Sequence, residues 1–141
     1  MKLNHDCIRA VMLKIEELHQ ITVDDENNAS FDLLWSDTLY RELPEHTKEN
    51  IFYALYNLDQ AGYIKLAIQD GDDGICMCAV ICMTYAGHEF LDKIRDAKAW
   101  KCVKAVGKEI GQFSLALINQ AANGIATAWI SQCLKENGIS L

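Results

Sequence analysis

Apolar residues first recur at helical spacing between His5 and His19, where Ile8, Val11, Met12, Ile15 and Leu18 share one face and Arg9, Glu16 and Glu17 lie on others. That pattern predicts a core-facing helix with Asn4 or Asp6 as its N-cap. The following ITVDDENNAS, residues 21–30, is polar and acidic without periodicity, so a loop is expected. Phe31 to Trp35 is a short apolar run that predicts a small strand, after which Ser36 or Asp37 caps a brief helix through Leu43, stopped by Pro44. Thr47 then caps a helix whose Ile51, Ala54, Leu55, Leu58 and Ala61 fall on one face, with Gly62 as its stop.

Beyond Gly62 the pattern changes. Tyr63–Gln69 and Ile75–Met83 are β-prone, and DGDDG between them is a turn by composition, which together predict a hairpin. Thr84 sits where that alternation ends and helical spacing resumes, the place of an N-cap. Further on, Phe90, Leu91 and Ile94 lie on one side of a straight helix, and Trp100, Val103, Val106 and Ile110 on nearly the opposite one. A bend or break at residues 95–98 resolves the conflict. Gly107 and Gly111 weaken the end of this segment, and Ser114 caps a last helix to Asn137, closed by Gly138. Its apolar stripe, which includes Ile118, Ile125 and Trp129, is wide, and its polar side is nearly uncharged. A lone surface helix does not need so much apolar area, so residues 114–137 are expected to pack into a partner chain or across the domain.

The predicted fold class is mainly α with a small β-hairpin, an α+β chain. The order helix, strand, helix, helix, strand, strand, helix is that of a winged-helix domain, a helix-turn-helix elaborated by a β-hairpin wing. LDQAGYI, running from a helix end into the first wing strand, looks like the pattern of many winged-helix regulators. The expected organisation is a winged-helix-like domain over residues 1–96 followed by a C-terminal helical extension over residues 97–141.

A length of 141 residues, half of them apolar, suits one domain or one small domain with an extension. No signal peptide and no membrane span are predicted, so a cytoplasmic protein is expected. The six cysteines, Cys7, Cys76, Cys78, Cys82, Cys102 and Cys133, then read as free thiols. Charge divides unevenly: residues 1–83 carry six Lys/Arg against fifteen Asp/Glu, net −9, and residues 84–141 carry seven against five, net +2. The first part should repel phosphates.

Candidate chemistry is sparse. His88 and Asp92 share a helical face, but two ligands do not make a metal site, and Glu89–Lys93 and Asp92–Arg95 read as intrahelical pairs worth roughly 0.2–0.5 kcal/mol each. Cys76, Cys78 and Cys82 are expected on one face of a strand, spread over about 20 Å, too far to chelate one ion. The helix from Thr47 shows Phe52, Tyr53, Tyr56, Asp59 and Gln60 opposite its core stripe, with Lys48 and Glu49 near its start. Aromatics with one cation suit a protein interface better than a major groove. Lys93, Lys101, Lys104 and Lys108 would form a basic stripe on a continuous helix, and Lys93 leaves it if the helix breaks.

MKLNHDCIRAVMLKIEE, IFYALYNLDQAGYI and MTYAGHEFLDKIRDAKAW together resemble a bacterial and phage family known as a domain of unknown function. The resemblance covers nearly the whole chain. Its signature, T-x-x-GHEFLD-x-IRD…W, is matched here by residues that include Thr84, Gly87, His88, Phe90 and Trp100, with Met83 where the pattern has leucine. It implies a phage or prophage setting and a winged-helix-like fold, and it implies no catalytic residue. The expected activity is non-enzymatic binding of a macromolecule, with no cofactor and no metal. Protein contacts are the first expectation, through Phe52, Tyr53 and Tyr56 and through Ile118, Ile125 and Trp129, the last group making a homo-oligomer. The alternative is a DNA-binding regulator using Lys48, Lys93, Lys101, Lys104 and Lys108.

Overall fold

The first helix, α1 (His5–Leu18), starts where Asn4 accepts the Cys7 N–H at 2.9 Å. It buries Cys7, Ile8, Val11, Met12 and Ile15, and ends at His19, whose backbone is extended. A computed structural model describes residues 1–111 and 114–138, with Cys76 by its backbone alone. The chain divides into two compact units, Met1–Glu89 and Phe90–Leu141.

Residues 21–31 are not a loop but a small antiparallel hairpin, β1 (Ile21–Val23) with β2 (Ala29–Phe31), in the register Ile21↔Phe31 and Val23↔Ala29. The acidic residues that mask it sit in the turn. There Asp24 accepts the N–H groups of Glu26 and Asn28, both at 2.9 Å, and Asn27 adopts the left-handed region at φ 66°. Asparagine tolerates that region better than most residues.

The strand expected over residues 31–35 is divided between β2 and β3 (Leu34–Trp35), and β3 feeds directly into α2 (Ser36–Glu42). Neither Ser36 nor Asp37 caps α2. Trp35 occupies the cap position without a side-chain bond because it is still paired with Ala79, so Ser36 is already helical and buried.

Helix α3 (Lys48–Gln60) is capped by Thr47, which accepts the Asn50 N–H at 3.1 Å, and it buries Ile51, Ala54, Leu55 and Leu58. Its end is a Schellman motif: Gly62 lies at φ +80°, Tyr63 N–H donates to the Leu58 carbonyl at 2.9 Å, and Gly62 N–H to that of Asp59 at 3.0 Å. Two long strands follow, β4 (Ile64–Gly71) and β5 (Gly74–Met83), in a three-stranded antiparallel sheet of order β3-β5-β4. The turn between them is only Asp72–Asp73, shorter than DGDDG suggests, because Gly71 and Gly74 still pair.

Strand β5 carries two bulges. Lys65 opposes Cys82 while Leu66 opposes Val80, which leaves Ile81 as an extra residue; Gln69 opposes Met77 while Asp70 opposes Ile75, which leaves Cys76 extra. Each extra residue reverses the side-chain parity of the strand. Cys78 therefore shares the face of Val80, Leu66 and Ile64, whereas Cys82 shares that of Ala79 and Lys65, and the single cysteine face expected from alternation does not exist. The sheet is buried unevenly on its two sides, although Ala79 is buried on the more open one. Val80, Cys78, Ile64 and Leu34 are in the core with Ile8, Ile51 and Leu55, whereas Trp35 and Lys65 on the other face are exposed.

Helix α4 (Tyr85–Ile94) starts at Thr84. In the second unit the chain breaks at Arg95–Asp96, and the Asp96 carboxylate accepts the N–H groups of Lys98 (2.8 Å) and Ala99 (3.0 Å) to open α5 (Ala97–Ile110). Gly111, at φ 77°, ends α5. Helix α6 (Leu115–Glu136) is capped by Ser114, which accepts the Leu117 N–H at 3.1 Å. Helices α5 and α6 pack together, with Ala99, Trp100, Val103, Ile118 and Ala122 buried. The architecture is mixed α and β, and among the described residues no helix is long and apolar enough to cross a membrane.

Candidate functional site

Three places in the structure gather the residues that sequence chemistry singled out: a cleft beside the first hairpin, the outer face of α3, and the exposed part of α6. The cleft, about 160 Å³, lies in the first unit. Ile15, Ile21, Phe31 and Met83 form its apolar walls, and Glu16, His19, Cys82 and His88 contribute polar groups. His19 is held by two contacts. Its Nε2 lies 2.7 Å from the carbonyl oxygen of Ile81, and since a carbonyl only accepts, Nε2 carries the proton. Its ring centroid lies 5.9 Å from that of Phe31. The bond satisfies the carbonyl of the bulged residue, so α1 and β5 are tied at the point where the ladder is irregular.

His19 was not anticipated as a site residue. A histidine closing an amphipathic helix carries little signal by itself, and its partner Ile81 depends on a bulge that alternation hides. His88 joins the cleft from α4, and its backbone N–H bonds the Thr84 carbonyl at 3.0 Å. Among the described residues, no three of His, Cys, Asp or Glu are placed to hold one metal ion. The Cys76 side chain lies outside the described residues.

Thr84 and Gly87 fasten the base of the β4–β5 hairpin. Thr84 N–H donates to the Tyr63 carbonyl at 3.0 Å, its hydroxyl donates to the Gly62 carbonyl at 2.6 Å, and its Oγ1 accepts the Gly87 N–H at 3.1 Å. The Tyr63 carbonyl oxygen also lies where a Cβ on Gly87 would be. Beyond Gly87, Glu89 hydrogen-bonds Tyr85 and pushes that phenol's pKa up, and Asp92 pairs with Arg95 at 2.8 Å. Phe90 and Trp100 are buried.

On α3, Phe52 and Tyr53 are half-buried and Tyr56 is exposed. Asp59, expected on the solvent face, is occupied structurally: its Oδ1 accepts the Leu66 N–H at 3.1 Å beside the Ile81 bulge. Lys48 stands 5.9 Å from the centre of the Tyr40 ring, and with Asp37, Tyr40 and Arg41 it borders a shallow open depression. Burial pushes the Tyr40 pKa up, against a smaller lowering by the Ser36 hydroxyl.

The basic stripe is cut by the break at Asp96. Lys93 is left on α4 and bonds Asn119 at 3.1 Å, while Lys101, Lys104 and Lys108 remain together on α5, Lys104 lying 6.0 Å from the centre of the Trp100 ring. On α6 the stripe Ile118, Ala122, Ile125, Trp129, Cys133 is continuous, but its two ends differ. Ile118 and Ala122 are buried within the second unit, Ile125 is half-buried, and Trp129 and its neighbour Ile130 are 48 % and 60 % exposed.

Residues 2–113 match the family described as "Hypothetical protein (DUF2513)". The chain belongs to the DUF2513 family. A similar relative is an "Uncharacterized protein" of Haemophilus influenzae, 29 % identical over 136 residues that cover 95 % of this chain and 99 % of the relative. No solved structure matches the chain. The DUF2513 match ends at residue 113, so α6, with its exposed Trp129, lies beyond the matched span, while the cleft and the Thr84–Gly87 junction lie inside it.

Proposed function

We propose that the protein is a non-enzymatic binding module that self-associates through the C-terminal half of α6. The observation that carries this reading is the exposed, uncharged stripe of that helix. From Leu115 to Leu134 there is no Asp, Glu, Lys or Arg, yet Trp129 and Ile130 face solvent. Helix α6 has 22 residues against 14 in α5, so about two of its turns exceed the length of the helix it packs on. An uncharged face is suited to meet its own copy across a two-fold axis, because like charges are not brought together there. Trp and Ile are also the large apolar groups that anchor interface centres.

The first unit reads in this proposal as a winged-helix variant. Its support is the order α1, β3, α2, α3, β4, β5 with β5 central in the sheet, the arrangement in which a hairpin flanks a helix-turn-helix. A DNA-binding role is the second reading, supported by Lys101, Lys104 and Lys108 at i, i+3 and i+7 on α5. Against it stand the acidic hairpin tip, Asp70, Asp72 and Asp73, and the single cation of α3, Lys48.

Light scattering on the full chain and on a Trp129→Ser, Ile130→Ser double variant tests the main reading. A full chain larger than a monomer, and a monomeric but folded variant, are expected; a monomeric full chain at high micromolar concentration refutes self-association. Retention on duplex DNA that falls steeply with salt would favour the second reading.

A further inference from the structure

The β1–β2 hairpin presents a feature that neither the core nor self-association through α6 uses. Strand alternation places Ile21, Val23, Ala29 and Phe31 on one face, with Thr22 and Ser30 on the other. The polar face is satisfied locally, the Thr22 hydroxyl lying 2.8 and 2.9 Å from the two Asp32 carboxylate oxygens. The apolar face is open: Ile21 is 59 % exposed, Val23 60 % and Phe31 51 %. An isolated two-stranded hairpin is marginal in water, and three large apolar side chains on its open face add nothing to its solubility. Ile21 and Phe31, which form a cross-strand pair, are also the walls through which this face continues into the cleft.

The cleft has the size of an anchor pocket. Its volume of about 160 Å³ is well below the roughly 300–1,000 Å³ of small-molecule sites. It is close to the roughly 150 Å³ at which an engineered apolar cavity accepts benzene, which is room for one ring or one branched aliphatic side chain. The surrounding charge selects the partner. Between Lys14 and Arg41 there is no Lys or Arg, but there are seven Asp and Glu, of which Glu16 borders the cleft and Asp24, Asp25 and Glu26 form the hairpin turn. Lys65, opposite Cys82 in the sheet, is a cation near the far side of the cleft, so it is on the Glu16 and hairpin-turn side that the apolar face is bordered by carboxylates, which repel phosphates and acidic peptides and attract cations.

We infer that the outer face of the β1–β2 hairpin and the adjoining cleft dock a cationic amphipathic segment of another protein, which places one bulky apolar side chain in the cleft and its Lys or Arg side chains against Glu16 and the Asp24–Glu26 turn. This surface is separate from α6 in sequence and in chemistry, so it stands or falls independently of self-association.

The test uses the full chain, isotope-labelled for amide NMR, with a synthetic amphipathic peptide of leucine and lysine as probe and the same peptide with glutamate for lysine as control. The lysine peptide should shift amides of residues 19–33 and of His88, and the glutamate peptide should not. Val23→Ser and Phe31→Ser should each weaken the lysine peptide at least tenfold, and Asp24→Asn with Glu26→Gln should weaken it and flatten its salt dependence. Val23 is exposed and outside the cleft wall, so its variant reports docking even if Phe31→Ser disturbs the hairpin. Shifts confined to other surfaces, equal binding of the glutamate peptide, or unchanged affinity in Val23→Ser overturns the inference. Loss of self-association in Val23→Ser also overturns it, since the occupant would then be a second copy of the chain.

Discussion

Gly87→Ala is the sharpest test of how the β4–β5 hairpin is joined to α4. Helix propensity alone predicts a gain of up to about 1 kcal/mol, because alanine is the best helix former and glycine among the worst. The surroundings predict the opposite. An added Cβ would overlap the Tyr63 carbonyl oxygen and lie 2.9 Å from the Tyr63 carbonyl carbon and 2.8 Å from Met83 Cγ. Met83 can rotate away, but Tyr63 is backbone, so α4 and the strand entry must separate. Separation stretches the Thr84 N–H bond to Tyr63 and the Thr84 hydroxyl bond to Gly62. Overpacking costs about 1–3 kcal/mol and each weakened bond about 0.5–1.5 kcal/mol. After the propensity gain, a net loss of about 1–5 kcal/mol is expected, a large share of the roughly 5–15 kcal/mol by which a domain is stable. Gly124→Ala is the control, since Gly124 lies inside α6 with nothing within 4 Å of the added Cβ; it should stabilise by about 0.5–1 kcal/mol. Urea unfolding followed by circular dichroism, with exchange of the Thr84 amide as a local probe, reads both. A Gly87→Ala protein as stable as the parent refutes the close approach, and equal effects at the two glycines refute the reasoning from surroundings.

Three further outcomes are expected. Burial, with a smaller contribution from Glu45, pushes the Cys7 thiol up to about 11, so in a native thiol titration near pH 8 exposed Cys102 and Cys133 should react first and Cys7 and buried Cys78 only on unfolding; fast labelling of Cys7, read by peptide mapping, contradicts this. The backbone N–H of Asn28 leads the bonds that hold the Asp24 carboxyl below its ordinary 3.8, so its contribution to the hairpin is present above that pH and is lost as the pH falls through the lowered value; the Asn28 amide should keep its protection at pH 5 and lose it below about 3.8, and unchanged protection at low pH is the contrary result. Asp96→Ala removes the acceptor for two N–H groups at the start of α5 and should cost about 1 kcal/mol, measured by urea unfolding, with no loss counting against the cap.

The parts of this fold that were legible in the sequence are those where one local rule decides. Asn4, Thr47, Thr84 and Ser114 each precede a periodic apolar run and each caps a helix. The break near Asp96 was legible because no single face accommodates both Phe90 and Val103. The β1–β2 hairpin was not, because its strands are three residues long and the acidic turn dominates the composition, although Ile21-Thr22-Val23 and the paired asparagines are a usable signal. The bulges at Ile81 and Cys76 arise in the pairing with β4 and leave no mark in alternation, so the faces of β5, the role of Asp59 and the partner of His19 could not be read beforehand. Ser36 misled for a related reason: a capping residue needs a free backbone before it, and Trp35 is engaged in the sheet.

The fastening at Thr84 has a further consequence for the β4–β5 hairpin. Because the carbonyls of Gly62 and Tyr63 are both held by Thr84, the chain leaves and re-enters through one clasp; the base of the hairpin beyond it is set in the core by Ile64, Cys78 and Val80, and only the part toward the tip, from Gln69 to Ile75, projects from that anchored base. Lengthening the Asp72–Asp73 tip changes only the entropy of a closed loop, about 0.6 kcal/mol for each doubling of its length. The tip is therefore the place where this chain can accept an inserted epitope or a fluorophore while the end of α3 and the start of α4 keep their register.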